Sequence, residues 1–198
     1  SKQERKIMND NEILKLFKET GALLEGHFKL RSGLHSDQFF QCALLLQYPE
    51  ISSRLCEVLV NKLNQRINLD DIDVIISPAI GGITLGHDVA RITRKKYIFV
   101  EKEEGFLKLR RFKIDAGERF LIIEDVITKG GRVKETIDIV HNFEGKVNGI
   151  GVLVDRSNQN IDFNAPLVSL LNISPNVYDP KNLPEWLAKI PLSQPGSK

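Results

Sequence analysis

The sequence predicts an α/β fold: a Rossmann-like parallel sheet flanked by helices, with a small N-terminal β hood. Three observations carry that expectation. From Val74 onward, short apolar runs alternate with segments of helical period, as βαβ units require. Val74-Ile-Ile76 and Leu121-Ile-Ile123 are continuously apolar, the mark of strands buried on both faces. Chemistry-bearing residues gather where the strands should end, at Ala79 to Gly82, Glu101-Lys102, Glu124-Asp125 and Asp155-Arg156, which is where ligands bind in such sheets. A chain of 198 residues fits one domain, residues 1–198, with a full core.

Taken in order, Asn11 to Glu19 reads as a short helix with Asp10 as N-cap, stopped near Gly21. Residues 22–48 alternate apolar and polar through Phe28 and Leu30, with Ser32-Gly33 as a turn, and read as a hood or hairpin outside the main sheet. Pro49 opens a helix that turns Leu55, Leu59 and Leu63 inward. Val74-Ile-Ile76 is the first sheet strand, followed by the turn Pro78-Ala-Ile-Gly-Gly82 and a helix to about Arg94. Tyr97-Ile-Phe-Val100 is the next strand and leads into a charged segment reaching about Glu118. A strand through Leu121-Ile-Ile123 ends in Glu124-Asp125, turns through Thr128-Lys-Gly-Gly131 and enters a helix marked by Val133, Ile137 and Val140. Val147 to Val154 and Leu167 to Leu171 complete the sheet.

Composition sets limits. Hydrophobic residues make up 41% of the chain, charged residues 27%, and the net charge is +2; a dedicated nucleic-acid binder would be more basic. Charge is unevenly spread, however. Residues 91–113 hold nine Lys or Arg against three Glu, which points to a local anion site. Cys42 and Cys56 make neither a disulfide framework nor a zinc site, and Cys56 falls on the apolar stripe of the Pro49 helix as a buried thiol. The four histidines lack metal-ligand spacing. No run is long and apolar enough to span a membrane, and residues 1–10 are polar and unlike a signal peptide, so a cytoplasmic location is expected. Met8 is the only methionine, and the origin of residues 1–7 stays open.

The run Phe120-Leu-Ile-Ile-Glu-Asp-Val-Ile-Thr-Lys-Gly-Gly-Arg132 holds the most chemistry. Gly130 and Gly131 can take positive φ and let a bound group approach the backbone. The loop delivers its N–H groups to a helix N-terminus, a ready phosphate site. Glu124 and Asp125 beside it would repel phosphate unless they serve hydroxyls or a cation. A phosphorylated sugar satisfies both ends, with phosphate on the loop and ribose hydroxyls and Mg²⁺ at the carboxylates. The chain carries neither Gly-x4-Gly-Lys-Ser/Thr nor Gly-x-Gly-x-x-Gly. The string resembles the phosphoribosyl diphosphate (PRPP) signature of the type I phosphoribosyltransferase family. Gly26-His-Phe-Lys-Leu-Arg-Ser-Gly33, Ser36, Phe39-Phe40, Gly151-Val-Leu-Val-Asp-Arg156 and Pro195-Gly-Ser-Lys198 resemble the orotate branch of that family, over a span from about Gly21 to Lys198.

The resemblance implies the type I phosphoribosyltransferase fold and an Mg²⁺-dependent transfer of ribose 5-phosphate from PRPP to orotate. The products would be orotidine 5′-monophosphate and pyrophosphate, in pyrimidine biosynthesis. It also implies a homodimer in which a mobile loop, residues 101–113, closes over the neighbouring subunit's active site, as closure would exclude water. PRPP would lie on Glu124, Asp125, Val126, Ile127, Thr128, Lys129, Gly130, Gly131 and Arg132, and orotate on the Phe pair, Thr128 and Arg156. Residue chemistry is compatible. Orotate is a flat anion, and Phe39-Phe40 with Arg31 and Arg156 offers aromatic surface and planar cations. Neighbouring strand residues face opposite ways, so at most one Phe should meet the base. Lys102, Lys108, Arg110 and Arg111 are the candidates for pyrophosphate, and Lys102, Asp125 and Glu124 the candidate catalytic residues. One carboxylate should reach ribose while the other acts through water or structure. An anionic ring nitrogen is already a nucleophile, so catalysis rests on positioning and charge stabilisation. Mg²⁺ would be held mainly by PRPP and water near Asp125.

Several positions depart from the family pattern. Glu101 stands where many members have Arg, no His occurs between His87 and His141, and Gly81 stands where many have Lys. Lys129 and Arg132 replace small hydroxylated residues and add positive charge beside the phosphate loop. Two other readings stay open: a transferase for another base such as a purine, and a PRPP-sensing regulator that binds nucleic acid. A neutral purine gives Arg156 no task, and the regulator should show a broad basic face. Neither a nucleic-acid nor a membrane partner is expected.

Overall fold

A computed structural model describes residues 8–195; the expectations for residues 1–7 and for the end of the Pro195 to Lys198 pattern lie outside them. Helix α1 (Asp10–Glu19) begins one residue earlier than expected, because Asn9 rather than Asp10 caps it. Asn9 Oδ1 accepts the Glu12 N–H and Glu12 Oε2 accepts the Asn9 N–H, both at 2.9 Å, a reciprocal capping box. Strands β1 (Leu23–Lys29) and β2 (His35–Phe40) form the antiparallel hairpin of the hood, and α2 (Ala43–Leu46) leads to α3 (Pro49–Asn64). Leu55, Leu59 and Leu63 are fully buried, as the helical spacing requires, and so is Cys56.

The main sheet follows: β3 (Val74–Pro78), α4 (Gly81–Thr93), β4 (Lys96–Glu103), β5 (Phe106–Lys108), β6 (Arg119–Ile127), α5 (Gly131–Asn142), β7 (Lys146–Asp155) and β8 (Leu167–Asn172). Its spatial order is β5-β4-β3-β6-β7-β8, parallel except for β5. Strand alternation divides the core in two. Ile75, Leu121 and Ile123 pack with Leu59, Leu85 and Val89 from α3 and α4. Val74, Ile76, Phe120 and Ile122 pack with Val133, Ile137 and Val140 of α5. Both faces are thus covered, the condition under which parallel strands are stable.

Two features differ from expectation. The charged segment after Val100 is not an open loop: β4 runs on to Glu103, and Glu101, Lys102 and Glu103 pair with Lys108, Leu107 and Phe106 of β5. The turn is Glu104-Gly105 with φ of 51° and 92°, both positive as a two-residue type I′ hairpin demands. The hood, in turn, is not built from residues 22–48 alone. The chain returns after β8 through β9 (Val177–Tyr178), α6 (Glu185–Ala188) and β10 (Leu192–Ser193), giving a second sheet of order β10-β1-β2-β9. The buried ring of His27 fastens this return: Nδ1 donates to the Ile190 carbonyl at 2.9 Å, and Nε2 lies 2.6 Å from His35 Nδ1. No described helix is long and apolar enough to cross a membrane.

Candidate active site

Hood and sheet enclose a cleft of about 1370 Å³. Lys29, Arg31, Phe39 and Gln41 come from the hood, Thr128, Lys129 and Lys134 from the β6–α5 junction, and Arg156 from the end of β7. Gln194 and Pro195, just past β10, also line it. Five expected residues therefore meet across one space: Arg31, Phe39, Thr128, Lys129 and Arg156. Lys29, Lys134 and the segment after β10 were missed. Lys29 lies two residues before Arg31, on the same face if the strand pleat continues, and Lys134 sits in the first turn of α5; both signals were available. Nothing local in the sequence marks Gln194.

The phenylalanines divide as strand geometry requires. Phe39 is half-exposed on the cleft wall, 5.9 Å from the ring of Phe28. Phe40 is buried, edge-on to Phe17 at 6.4 Å. The guanidinium carbon of Arg156 stands 4.8 Å over the Phe40 ring, a cation–π contact. Burial pulls Arg156 below its ordinary value. Its N–H donates to the Ile127 carbonyl at 2.8 Å, tying the end of β7 to β6 beside the phosphate loop.

That loop has the anticipated turn at Gly130, but Gly131 does not take the positive φ expected of it, because it is already the first residue of α5. Gly130 takes φ 76° and is the N-cap of α5 with no side-chain cap, leaving early N–H groups of the helix without side-chain partners. A Cβ at Gly130 would come within 2.8 Å of Phe163, whereas one at Gly131 would meet nothing within 4 Å. Lys129 faces the cleft. Arg132 instead turns to Glu135, 3.3 Å away.

Glu124 and Asp125 lie within β6, which continues to Ile127, rather than at its end. The Asp125 N–H donates to Glu124 Oε1 at 2.9 Å, and the Val126 N–H to Asp125 Oδ1 at 2.8 Å. Glu124 is buried and Asp125 half-buried. Loss of solvent, then the neighbouring Asp125 charge, pushes Glu124 up to about 9, so it is protonated at neutral pH. Both acids abut the start of α4. A Cβ at Gly81 would stand 2.6 Å from Asp125 Oδ2, and one at Gly82 3.2 Å from Glu124 Oε1. Gly81 therefore leaves room for the Asp125 carboxylate in this arrangement. Burial, then the charge of Asp125, raises the nearby Cys42 thiol, and Arg156 opposes them. No three His, Cys, Asp or Glu side chains of the described residues converge as a cation cage.

Lys102, Lys108, Arg110 and Arg111 are not in the cleft lining; they belong to the β4–β5 hairpin and the chain just after it. Arg111 grips Glu101 with both prongs, at 2.7 and 3.1 Å. Lys108 reaches Glu103 at 2.8 Å and Glu104 at 3.7 Å, and Arg110 reaches Glu103 at 3.3 Å. Lys102 is exposed. The hairpin docks on α5 where the Leu107 N–H donates to Glu135 Oε2 at 2.9 Å, so Glu135 touches the hairpin with one oxygen and Arg132 with the other.

Residues 49–184 match the model of the phosphoribosyl transferase domain. The chain is 45% identical over 192 residues to an orotate phosphoribosyltransferase of Pelotomaculum thermopropionicum, covering 96% of this chain and 99% of the relative. It is 43% identical to that of Caldicellulosiruptor bescii, with 96% and 99% covered. Among solved structures, orotate phosphoribosyltransferase from Aeropyrum pernix superposes with a TM-score of 0.71 at 24% identity, over 81% of this chain and 93% of that one. Adenine phosphoribosyltransferase from Rhodothermus marinus gives 0.62 at 20% identity, over 82% and 99%; the fold is common to both base classes.

Proposed function

The chain belongs to the phosphoribosyltransferase family, in its orotate phosphoribosyltransferase branch, and from that premise we propose that it joins orotate to the anomeric carbon of PRPP. The observation that carries the choice of base is Arg156, a half-buried cation held over Phe40 and lining the same cleft as Phe39 and Arg31. A planar fork of this kind suits a carboxylate on a flat ring.

The chain's residues then divide the work. The open N-terminus of α5 and the Thr128 to Gly131 loop receive the 5′-phosphate. Asp125, the half-buried member of the acid pair, accepts from ribose hydroxyls, while buried, protonated Glu124 holds the Asp125 backbone in place. Arg156 orients orotate so that its ring nitrogen faces the anomeric carbon. The nitrogen lone pair forms the new C–N bond as the C–O bond to diphosphate breaks, and the diphosphate leaves with that electron pair. Positive charge on the sugar and negative charge on the leaving group are what the site must stabilise. Hairpin cations, led by Lys102, lie off this chain's own cleft and would supply the second to a neighbouring subunit's cleft in a homodimer. Mg²⁺, when bound, would neutralise diphosphate and ribose oxygens, and Asp125 is the side chain that would hold it or its waters. The donor set fits an ion that keeps most of its ligands from substrate and solvent. The reading includes action as a homodimer in the cytoplasm, supported by the family resemblance.

Orotate consumption followed by ultraviolet absorbance, with PRPP and Mg²⁺ each omitted in turn, tests the proposal. Loss of orotate in the complete mixture alone is the expected result. Turnover of adenine or another base under the same conditions, with orotate untouched, would replace it.

A further inference from the structure

From Glu101 to Lys113 the β4–β5 hairpin and the residues after it carry five Lys or Arg, yet four of these are already paired, Lys113 with Asp115 and three with hairpin glutamates. Arg111 is held by Glu101, and Lys108 and Arg110 both converge on Glu103. The hairpin is also anchored beside the phosphate loop, since Glu135 accepts from the Leu107 N–H and pairs with Arg132. We propose that Glu101 and Glu103 are affinity- and specificity-determining residues, standing in for a diphosphate and yielding their cations only to a ligand of higher charge. This rests on the reading of the site as one for PRPP and pyrophosphate.

The physical argument is one of exchange. Each pair is partly exposed and individually weak in water, so a polyanion can displace it. A monophosphate gains too little to open three contacts at once, whereas a diphosphate bridges several cations together. The carboxylates set aside then face the bound anion and hasten its departure. Glu101 and Glu103 therefore lower the affinity for pyrophosphate and sharpen its distinction from inorganic phosphate. Glu104 is the internal control: it is far more exposed and lies 3.7 Å from Lys108, so it adds charge to the hairpin while holding little.

Pyrophosphate and inorganic phosphate are titrated calorimetrically, with Mg²⁺, into the full chain and into Glu101→Gln, Glu103→Gln, their double variant and Glu104→Gln. Exchange predicts pyrophosphate binding about threefold tighter in each single variant and about tenfold in the double. It also predicts a larger relative gain for inorganic phosphate, and a change below about 1.5-fold in Glu104→Gln. Thermal unfolding of each variant checks that the fold is kept. Equal gains from Glu104→Gln and Glu103→Gln would reduce the effect to general charge and overturn the proposal. Unchanged or weaker binding in the double variant, with the parent chain binding normally, would also overturn it. A parent chain that binds no pyrophosphate would instead strike at the reading of the site, and the proposal would fall with it.

Discussion

Glu124 and Asp125 are chain neighbours with the same functional group, but Glu124 is the more deeply buried. Glu124 is raised from an ordinary 4.5 to about 9. Between those values the unfolded chain ionises this group while the folded chain does not, so stability falls as pH rises through the interval. Glu124→Gln should therefore raise Tm over the parent chain increasingly from pH 5 to pH 9, reaching about 3 °C or more, with the difference vanishing near pH 4; a constant offset across that range would contradict a neutral Glu124. At pH 7 the same variant should keep PRPP binding within about threefold, whereas Asp125→Asn should weaken it about tenfold, if Asp125 alone meets ribose. Arg156→Lys keeps the charge but loses the fork and its seat on Phe40. The KM for orotate should rise about tenfold with that for PRPP unchanged; equal rises in both would mean a general loss of structure. The sequence made the acid pair visible and stopped there. Which acid is buried depends on Gly81, Gly82 and the start of α4 packing against β6, contacts between segments some forty residues apart.

At the scale of the element, the β6–α5 junction was the most legible part of the chain, because an apolar strand, two glycines and a helical stripe are all local signals. Its glycines still have separate tasks. Gly130→Ala puts an L-residue at φ 76° and its methyl 2.8 Å from Phe163, which should lower Tm by about 3–8 °C. Gly131→Ala has open space around it and should leave Tm unchanged while raising the KM for PRPP, as the methyl intrudes where phosphate approaches the backbone. Matching Tm losses in the two variants would refute that division. The β4–β5 hairpin was less legible. Lys102 to Glu104 looks like solvated loop, and only Glu104-Gly105 hints at a turn; pairing is settled by Leu107, which buries its side chain and gives its N–H to Glu135.

For the molecule as a whole, the parallel sheet followed from the alternation of apolar runs, and the hood's closure did not. Strands of two residues such as β9 and β10 carry no periodicity, so their pairing with β2 and β1 is decided by tertiary contact alone. His27 and His35 hold that closure. His27 Nδ1 must carry a proton to donate to Ile190, so in the neutral pair His27 Nε2 accepts from His35 Nδ1–H. Burial, then the charges of His27 and Lys29, lowers His35 below 6.5. Stability contributed by His35 is thus complete above 6.5 and lost as pH falls through its folded value. Amide protection at Leu192 and Ser193, corrected for the intrinsic pH dependence of exchange, should fall as pH drops below 6.5 in the parent chain, and His35→Asn should remove that dependence; an unaltered pH profile in the variant would assign the loosening elsewhere. The same closure bears on biogenesis. His27 waits for a partner 163 residues further on, which at about 5–20 residues per second is roughly 8–30 s of translation. Through that interval the nascent hairpin shows an unpaired edge, a natural handle for a chaperone. A ribosome-bound chain that has already formed the phosphate loop gains its complete base cleft only once residues 192–195 have emerged.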